Sequence, residues 1–256
     1  MNPRLRLESG GSSFHDTVSR RRIPSCHLEM FRGLIPVKSL KKIIIALSVL
    51  AVLAIAVPVI TTGDFHIDRS VLEQAEKKYG KDARARLIAW ANLIREDQDT
   101  CDLEKLEKVN RFLNQMTFVD DLRHWGEKDY WATPIEFLAS HGGDCEDFSI
   151  AKYFTLKAMG MSEEKLNLTY VKALQYNMHH MVLTYYTTPG AEPLVLDNLI
   201  DSIKPASQRT DLMPIFSFNG TGLWLAKQRG RGKLAGSSSR VKRWRNLLEK
   251  MEKNKL

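Results

Sequence analysis

The sequence predicts an α+β domain, and three observations predict it. Apolar residues recur at steps of three or four between residues 68 and 116, a Gly-Gly break precedes another helical segment after residue 143, and the period falls to two beyond residue 165. Helices first, then one central helix, then strands joined by turn residues is the order of a helical layer packed on an antiparallel sheet. The 256 residues suffice for one core of ordinary size, and 43% hydrophobic with 27% charged residues excludes wholesale disorder and fibrous repeats.

The chain begins with a basic segment, residues 1–42, holding nine Lys/Arg against three Asp/Glu. Residues 43–60, IIIALSVLAVLAIAVPVI, carry no charge and directly follow Lys41 and Lys42. As a helix this run spans about 27 Å, close to the roughly 30 Å hydrocarbon core of a bilayer. Residues 43–62 are therefore expected to be a signal peptide cut near Ala54-Ile55-Ala56 or an uncleaved signal-anchor transmembrane helix, with a buried core helix as the alternative. The positive residues ahead of it send the larger C-terminal part to the exported side. Met30-Phe31-Arg32 would open a conventional signal, which makes Met30 the expected start of the protein.

The exported domain is expected over residues 63–226. Asp68 caps a helix to about residue 79, and Asp82 caps another carrying Leu87, Ile88, Trp90, Ala91 and Leu93. Leu103, Leu106, Val109, Leu113 and Met116 continue the pattern as core positions. Residues 118–141 are irregular, with a short helix over 134–139. Gly142-Gly143 lets the backbone turn sharply, and Asp144-Cys145-Glu146-Asp147 opens a strong helix closed by Gly160. Strands follow over 166–173, 181–187 and 193–196. Residues 227–256 form a basic tail, flexible through 239 and then a short helix with Trp244, Leu247, Leu248 and Met251 on one side. That helix is either solvated or a contact for anionic lipid headgroups.

Charge divides along the same boundaries. The net +8 comprises +6 in residues 1–42, +9 in residues 227–256 and −7 in residues 64–226. The folded part is acidic, which excludes a basic nucleic-acid-binding domain. Three cysteines, Cys26, Cys101 and Cys145, make no disulfide framework and lack the spacing of a zinc site.

Cys145 carries the most information. A thiol in the first turn of a helix faces the positive end of the helix dipole, which favours thiolate; the bland alternative is a buried structural cysteine. His180 stands 35 residues on at the start of a strand, and Asp197 ends a short strand 17 residues later. A thiol at a helix N-terminus, packed on a sheet with imidazole and carboxylate on adjacent strands, is what a Cys/His/Asp triad needs. His179 is the rival for the base, and since neighbouring strand residues face opposite ways, only one of the two meets the thiol.

Gly142-Gly143-Asp144-Cys145-Glu146-Asp147-Phe148, then His180-Met181-Val182-Leu183, then Val195-Leu196-Asp197-Asn198 resembles the bacterial transglutaminase-like cysteine proteinases, most closely the LapG type. Trp131-Ala132-Thr133-Pro134, Phe216-Ser217-Phe218-Asn219 and Gly222-Leu223-Trp224-Leu225 extend the resemblance over about residues 64–226. It implies a papain-like, transglutaminase-like fold with the nucleophile helix packed on an antiparallel sheet. It also implies a periplasmic endopeptidase that cleaves the N-terminal region of a large surface adhesin after an alanine pair in an Ala-Ala-Gly type sequence, freeing the adhesin and dispersing the biofilm. An inner-membrane receptor that senses cyclic di-GMP is the implied partner, sequestering the protease. Cys145 becomes the nucleophile, His180 the general base and acid, and Asp197 the orienting carboxylate.

The resemblance further implies Ca2+. Asp144, Glu146 and Asp147 crowd carboxylates around the nucleophile, and a hard divalent ion there would cancel their repulsion. Asp129 is a further candidate ligand by position, and the alternative is that these acids only cap the helix. Two other readings stay open: different acyl transfer on the same triad, as in a transglutaminase or cell-wall peptidase, and a membrane-tethered binding module that needs no thiol.

Overall fold

Three helices form the N-terminal layer, α1 (Arg69–Tyr79), α2 (Lys81–Glu96) and α3 (Asp102–Leu113). Asp68 precedes α1 without making a side-chain cap bond, and Gly80, at φ 88°, turns the chain directly into α2. Asp82, the predicted cap, is instead the second residue of α2, two past the observed N-cap Gly80. Leu87, Trp90, Ile94, Leu106, Val109 and Leu113 are buried, whereas Ile88 and Leu103 stay exposed, so the apolar stripe is narrower than the sequence suggests. The computed structural model describes residues 65–225 and 232–253. The basic segment 1–42, Met30, Cys26 and the apolar segment 43–62 lie outside the described residues. Among the described residues no helix is long and apolar enough to cross a membrane.

Residues 117–143 contain more structure than their irregular sequence suggests. β1 (Thr117–Phe118) pairs in parallel with β2 (Gly142–Gly143), and between them lie α4 (Asp121–His124) and α5 (Pro134–Ser140). A reciprocal capping box of Thr133 and Glu136, with Pro134 in the first turn, sets the start of α5. The helix α6 (Cys145–Ala158) follows at once and runs through the centre of the domain. Phe148, Ile150, Ala151, Tyr153, Thr155 and Leu156 are all buried, so α6 touches neighbours on most of its circumference. Trp90 Nε1 donates to Thr155 Oγ1 at 2.8 Å from one side, and buried Lys105 donates to the Met159 carbonyl at the C-terminal end at 2.8 Å.

The sheet has seven strands: β3 (Leu166–Ala173), β4 (Met178–Tyr185), β5 (Leu194–Leu196), β6 (Lys204–Pro205), β7 (Leu212–Phe218), β8 (Leu223–Leu225) and β9 (Leu234–Gly236). Their spatial order is β6-β5-β4-β3-β7-β8-β9 with every pair antiparallel. Alternation divides the faces: Leu166, Leu168, Met181, Leu183 and Leu196 join the core around α6, and Val171, Val182 and Val195 form a smaller cluster. This is the α+β architecture the sequence predicts.

The C-terminal segment 227–256 contains the short helix that the sequence predicts but departs from the expectation of a flexible stretch through 239 and a solvated or lipid-facing helix. Within it, β9 completes the sheet and α7 (Lys242–Lys253) buries Trp244 and Leu247. The Trp244 ring lies 5.5 Å from those of Tyr153, Phe154 and Phe218. Counting lysines hides the cause, which is an apolar stripe at i, i+3 and i+7 (Trp244, Leu247, Met251) that docks on the core while the charges stay outside.

Candidate active site

Helix α6 starts at Cys145 because Asp144 caps it, Oδ1 accepting the Glu146 N–H at 3.1 Å. The two glycines before it are extended rather than sharply turned. The left-handed residue is His141 at φ 65°, which ends α5. Glycine is needed for close approach: a Cβ on Gly143 would lie 2.2 Å from Asp147 Oδ2, and one on Gly142 would lie 2.7 Å from the Thr117 carbonyl oxygen.

Strand β4 crosses α6 at its first turn. The Met181 amide hydrogen-bonds the Cys145 sulfur, and the Met181 carbonyl accepts from Ser149 Oγ at 3.0 Å, so two residues one turn apart on α6 grip a single residue of β4. The residue before Met181 is His180, which is buried. Its Nε2 meets Asp197 Oδ1 at 2.8 Å. His179 is exposed and stacks on Tyr170, with ring centroids 5.5 Å apart. Asp197 Oδ1 also accepts the Leu199 N–H at 3.0 Å, and Oδ2 accepts from Arg209 at 2.7 Å. Burial opposes ionisation of Asp197, but the His180 and Leu199 bonds and the Arg209 guanidinium outweigh it and hold the carboxyl well below the usual range. Lys152, fully buried on α6, is pulled down to about 7 by burial, against the charges of Asp197 and Asp201.

The thiol has the opposite surroundings. Cys145 Sγ donates to Glu146 Oε2 at 2.7 Å. Burial first, then the charges of Glu146 and Asp144, push the thiol well above its ordinary value, against the Met181 amide. Burial and the carboxylates together thus oppose the thiolate that the helix dipole favours at this position. Cys145 and Cys101 are not bridged to one another.

Acidic side chains gather around the α6 N-terminus in two overlapping groups. Ligand atoms of Asp144, Cys145 and Glu146 lie within 4.8 Å of one another, and so do those of Asp121, Asp144 and Asp147. Asp147 accepts from the Ala132 N–H at 2.7 Å and the Trp125 indole at 3.4 Å, and Asp121 Oδ2 accepts the Tyr130 N–H at 2.6 Å. Burial, reinforced by neighbouring acids, pushes Asp144 up to about 10, Asp147 up to about 8 and Asp121 up to about 6. Asp121 Oδ1 is buried without a hydrogen-bond partner. An orphaned carboxylate oxygen facing other hard oxygen donors fits an oxygen-seeking divalent cation.

Sequence reasoning names Asp144, Glu146 and Asp147 here and misses Asp121, which lies in the stretch 118–141 that the sequence marks as irregular. Asp129 stands apart from both groups. Its Oδ2 pairs with Arg243 at 2.6 Å and its Oδ1 accepts from the Trp131 indole at 3.2 Å. From the same helix as Arg243, Lys250 donates to the Trp131 carbonyl and the Tyr130 hydroxyl, each at 2.9 Å, and pairs with Glu136 at 2.9 Å. Helix α7 therefore straps the loop whose amides hold Asp121 and Asp147.

Comparison with known proteins places this geometry among relatives. Residues 85–217 match the family described as bacterial transglutaminase-like cysteine proteinase, BTLCP. Among solved structures, LapG of Legionella pneumophila is 43% identical, with a TM-score of 0.62, over 71% of this chain and 96% of that one. The EGTA-treated form of that protein matches over the same shares, and its calcium-bound form matches at 43% identity and TM-score 0.62 over 72% of this chain and 99% of that one. No curated protein matches.

Proposed function

The chain belongs to the bacterial transglutaminase-like cysteine proteinases, and from that premise we propose a calcium-dependent periplasmic endopeptidase that cuts the N-terminal region of a large surface adhesin at an Ala-Ala-Gly type site. Cleavage frees the adhesin and disperses the biofilm, and an inner-membrane receptor for cyclic di-GMP restrains the enzyme. That the protein is a cysteine peptidase follows from the family itself; the calcium, substrate, partner and compartment are the proposal. Residues 43–62 support export, and the calcium-bound and EGTA-treated relatives support the metal.

In the proposed reaction His180 Nε2 is committed to Asp197, which leaves Nδ1 as the basic nitrogen of the neutral ring. Nδ1 takes the Cys145 proton, the thiolate attacks the scissile carbonyl carbon, and Nδ1 returns the proton to the departing amine. Water then hydrolyses the thioester by the reverse proton path. Asp197 orients the ring and offsets the imidazolium charge. The Cys145 N–H, at the first position of α6 and so outside the helical ladder, serves as an oxyanion donor. Asp121, Asp144 and Asp147, with Glu146 on the thiol side, would hold calcium, whose charge offsets the carboxylates that hold the thiol protonated.

The buried His180–Asp197 bond, one residue from the amide that meets Cys145, carries the reading. Its test mixes the purified chain, and its Cys145→Ser form, with the N-terminal region of a large adhesin from the same genome, in calcium or in chelator. Cleavage beside an alanine pair, lost with the serine and with the chelator, is the expected result. An amine adduct in place of two fragments would move the chemistry to transglutamination. Tight binding of an adhesin that stays whole would replace the proposal with a tethered binding module.

A further inference from the structure

Arg209 lies outside every motif that the sequence singles out, yet only 3% of it is exposed. It sits between β6 and β7, where its Nε and one terminal nitrogen grip Asp211 as a fork, at 3.0 and 2.8 Å. The same terminal nitrogen reaches Asp197 Oδ2 at 2.7 Å. Burying a guanidinium costs free energy unless its partners are well placed, so a buried arginine is an expensive way to anchor a loop that neutral donors could anchor.

The geometry gives it a further task. Rotation about the last torsion of an aspartate is soft and nearly two-fold, so hydrogen bonds to Oδ1 alone leave the carboxylate plane loosely set. Asp197 Oδ1 already takes the His180 Nε2 and the Leu199 amide. Fixing Oδ2 with a guanidinium that is itself locked by Asp211 sets the plane, and with it the direction from which Oδ1 receives the imidazole.

We infer that Arg209, held by Asp211, is a positioning residue for the reaction, orienting Asp197 so that Asp197 can orient His180. The inference rests on the proposed triad for its kinetic consequence and on the observed hydrogen bonds alone for its structural one. Arg209 hydrogen-bonds through its side chain to Asp197 and Asp211. Its effect passes through two hydrogen bonds and falls on kcat rather than on substrate binding.

The test uses the full chain with calcium, a peptide carrying an Ala-Ala-Gly site, and proton NMR of the histidine ring. An imidazole N–H bonded to a buried carboxylate gives a strongly downfield proton. Arg209→Gln is expected to broaden or remove that resonance and to lower kcat on the order of 10²-fold, with KM unchanged. Arg209→Lys, which keeps charge but not the fork, should recover part of both. A folded Arg209→Gln protein that retains the resonance and the wild-type kcat overturns the inference. If Arg209→Gln does not fold, Asp211→Asn, at a more exposed site, takes its place: a weakened resonance supports the inference and an unchanged one overturns it. Should the wild type not cleave the peptide while its downfield proton still depends on Arg209, the positioning role stands and the protease reading falls.

Discussion

Around Cys145, the carboxylates of Asp121, Asp144 and Asp147 face one another within 4.8 Å, with amide and indole donors between them; across β4, Asp197 and Asp211 share the guanidinium of Arg209. Burial is common to both regions and the outcome is opposite. The first three carboxyls are pushed up, to about 10 for Asp144, whereas Asp197 is held down by His180, the Leu199 amide and Arg209, and Asp211 by Arg209. A carboxylate cluster without a side-chain cation keeps its protons or takes a metal, and one with an arginine has its charge offset within the chain. One side of the candidate site is thus built to respond to its ionic surroundings, and the other is built to ignore them.

The largest break in this comparison comes from the proposed reacting groups. Cys145→Ser and His180→Ala should each lower kcat/KM on the order of 10⁴-fold or more in peptide cleavage, whereas His179→Ala should leave most of it. A large loss at His179 with little at His180 would move the base to the exposed ring beside Tyr170.

The next effect separates two aspartates of the acidic side. Asp121→Asn should weaken calcium binding about 10- to 100-fold by titration calorimetry, because it removes a buried carboxylate from the cluster. Asp129→Asn should weaken it far less, since its carboxylate is engaged by Arg243. Equal losses would draw Asp129 into the ligand set.

The pH dependence comes from the raised carboxyls. The folded values of Asp121 and Asp147, about 6 and about 8, exceed those of an unfolded chain, so their contribution to stability is complete below about pH 4 and is lost as pH rises through those values. Calcium held by these carboxylates would displace the same protons. The increase in Tm on adding calcium to chelated protein should therefore be greater at about pH 8 than at about pH 5. An increment that does not change with pH would mean that calcium binds elsewhere.

The smallest effect tests the strap. Lys250→Ala removes donors to Trp131 and Tyr130 and the pair with Glu136, all partly exposed, and should cost about 1 kcal/mol in urea unfolding with an unchanged m value. The same variant should bind calcium more weakly if the loop that it holds positions Asp121 and Asp147.

Much of this molecule is legible in the chain. Periodicity locates the helices and the first three strands of the sheet within a few residues, because amphipathic spacing is a local property. The spacing of Cys145, His180 and Asp197 on a helix start and two strand segments, together with the acids flanking the thiol, is likewise written in order along the sequence. Tertiary structure alone decided that Asp121 joins Asp144 and Asp147 from a separate loop, that Arg209 locks Asp197 from the far side of the strand, that Gly143 makes room for Asp147, and that the basic C-terminal segment is a strap on the core. Apart from Gly143 and Asp147, which are four residues apart, each of these depends on residues distant in the chain meeting where water is excluded. A charged residue reads as solvated surface until packing removes the solvent, and only then do its partners determine what it does.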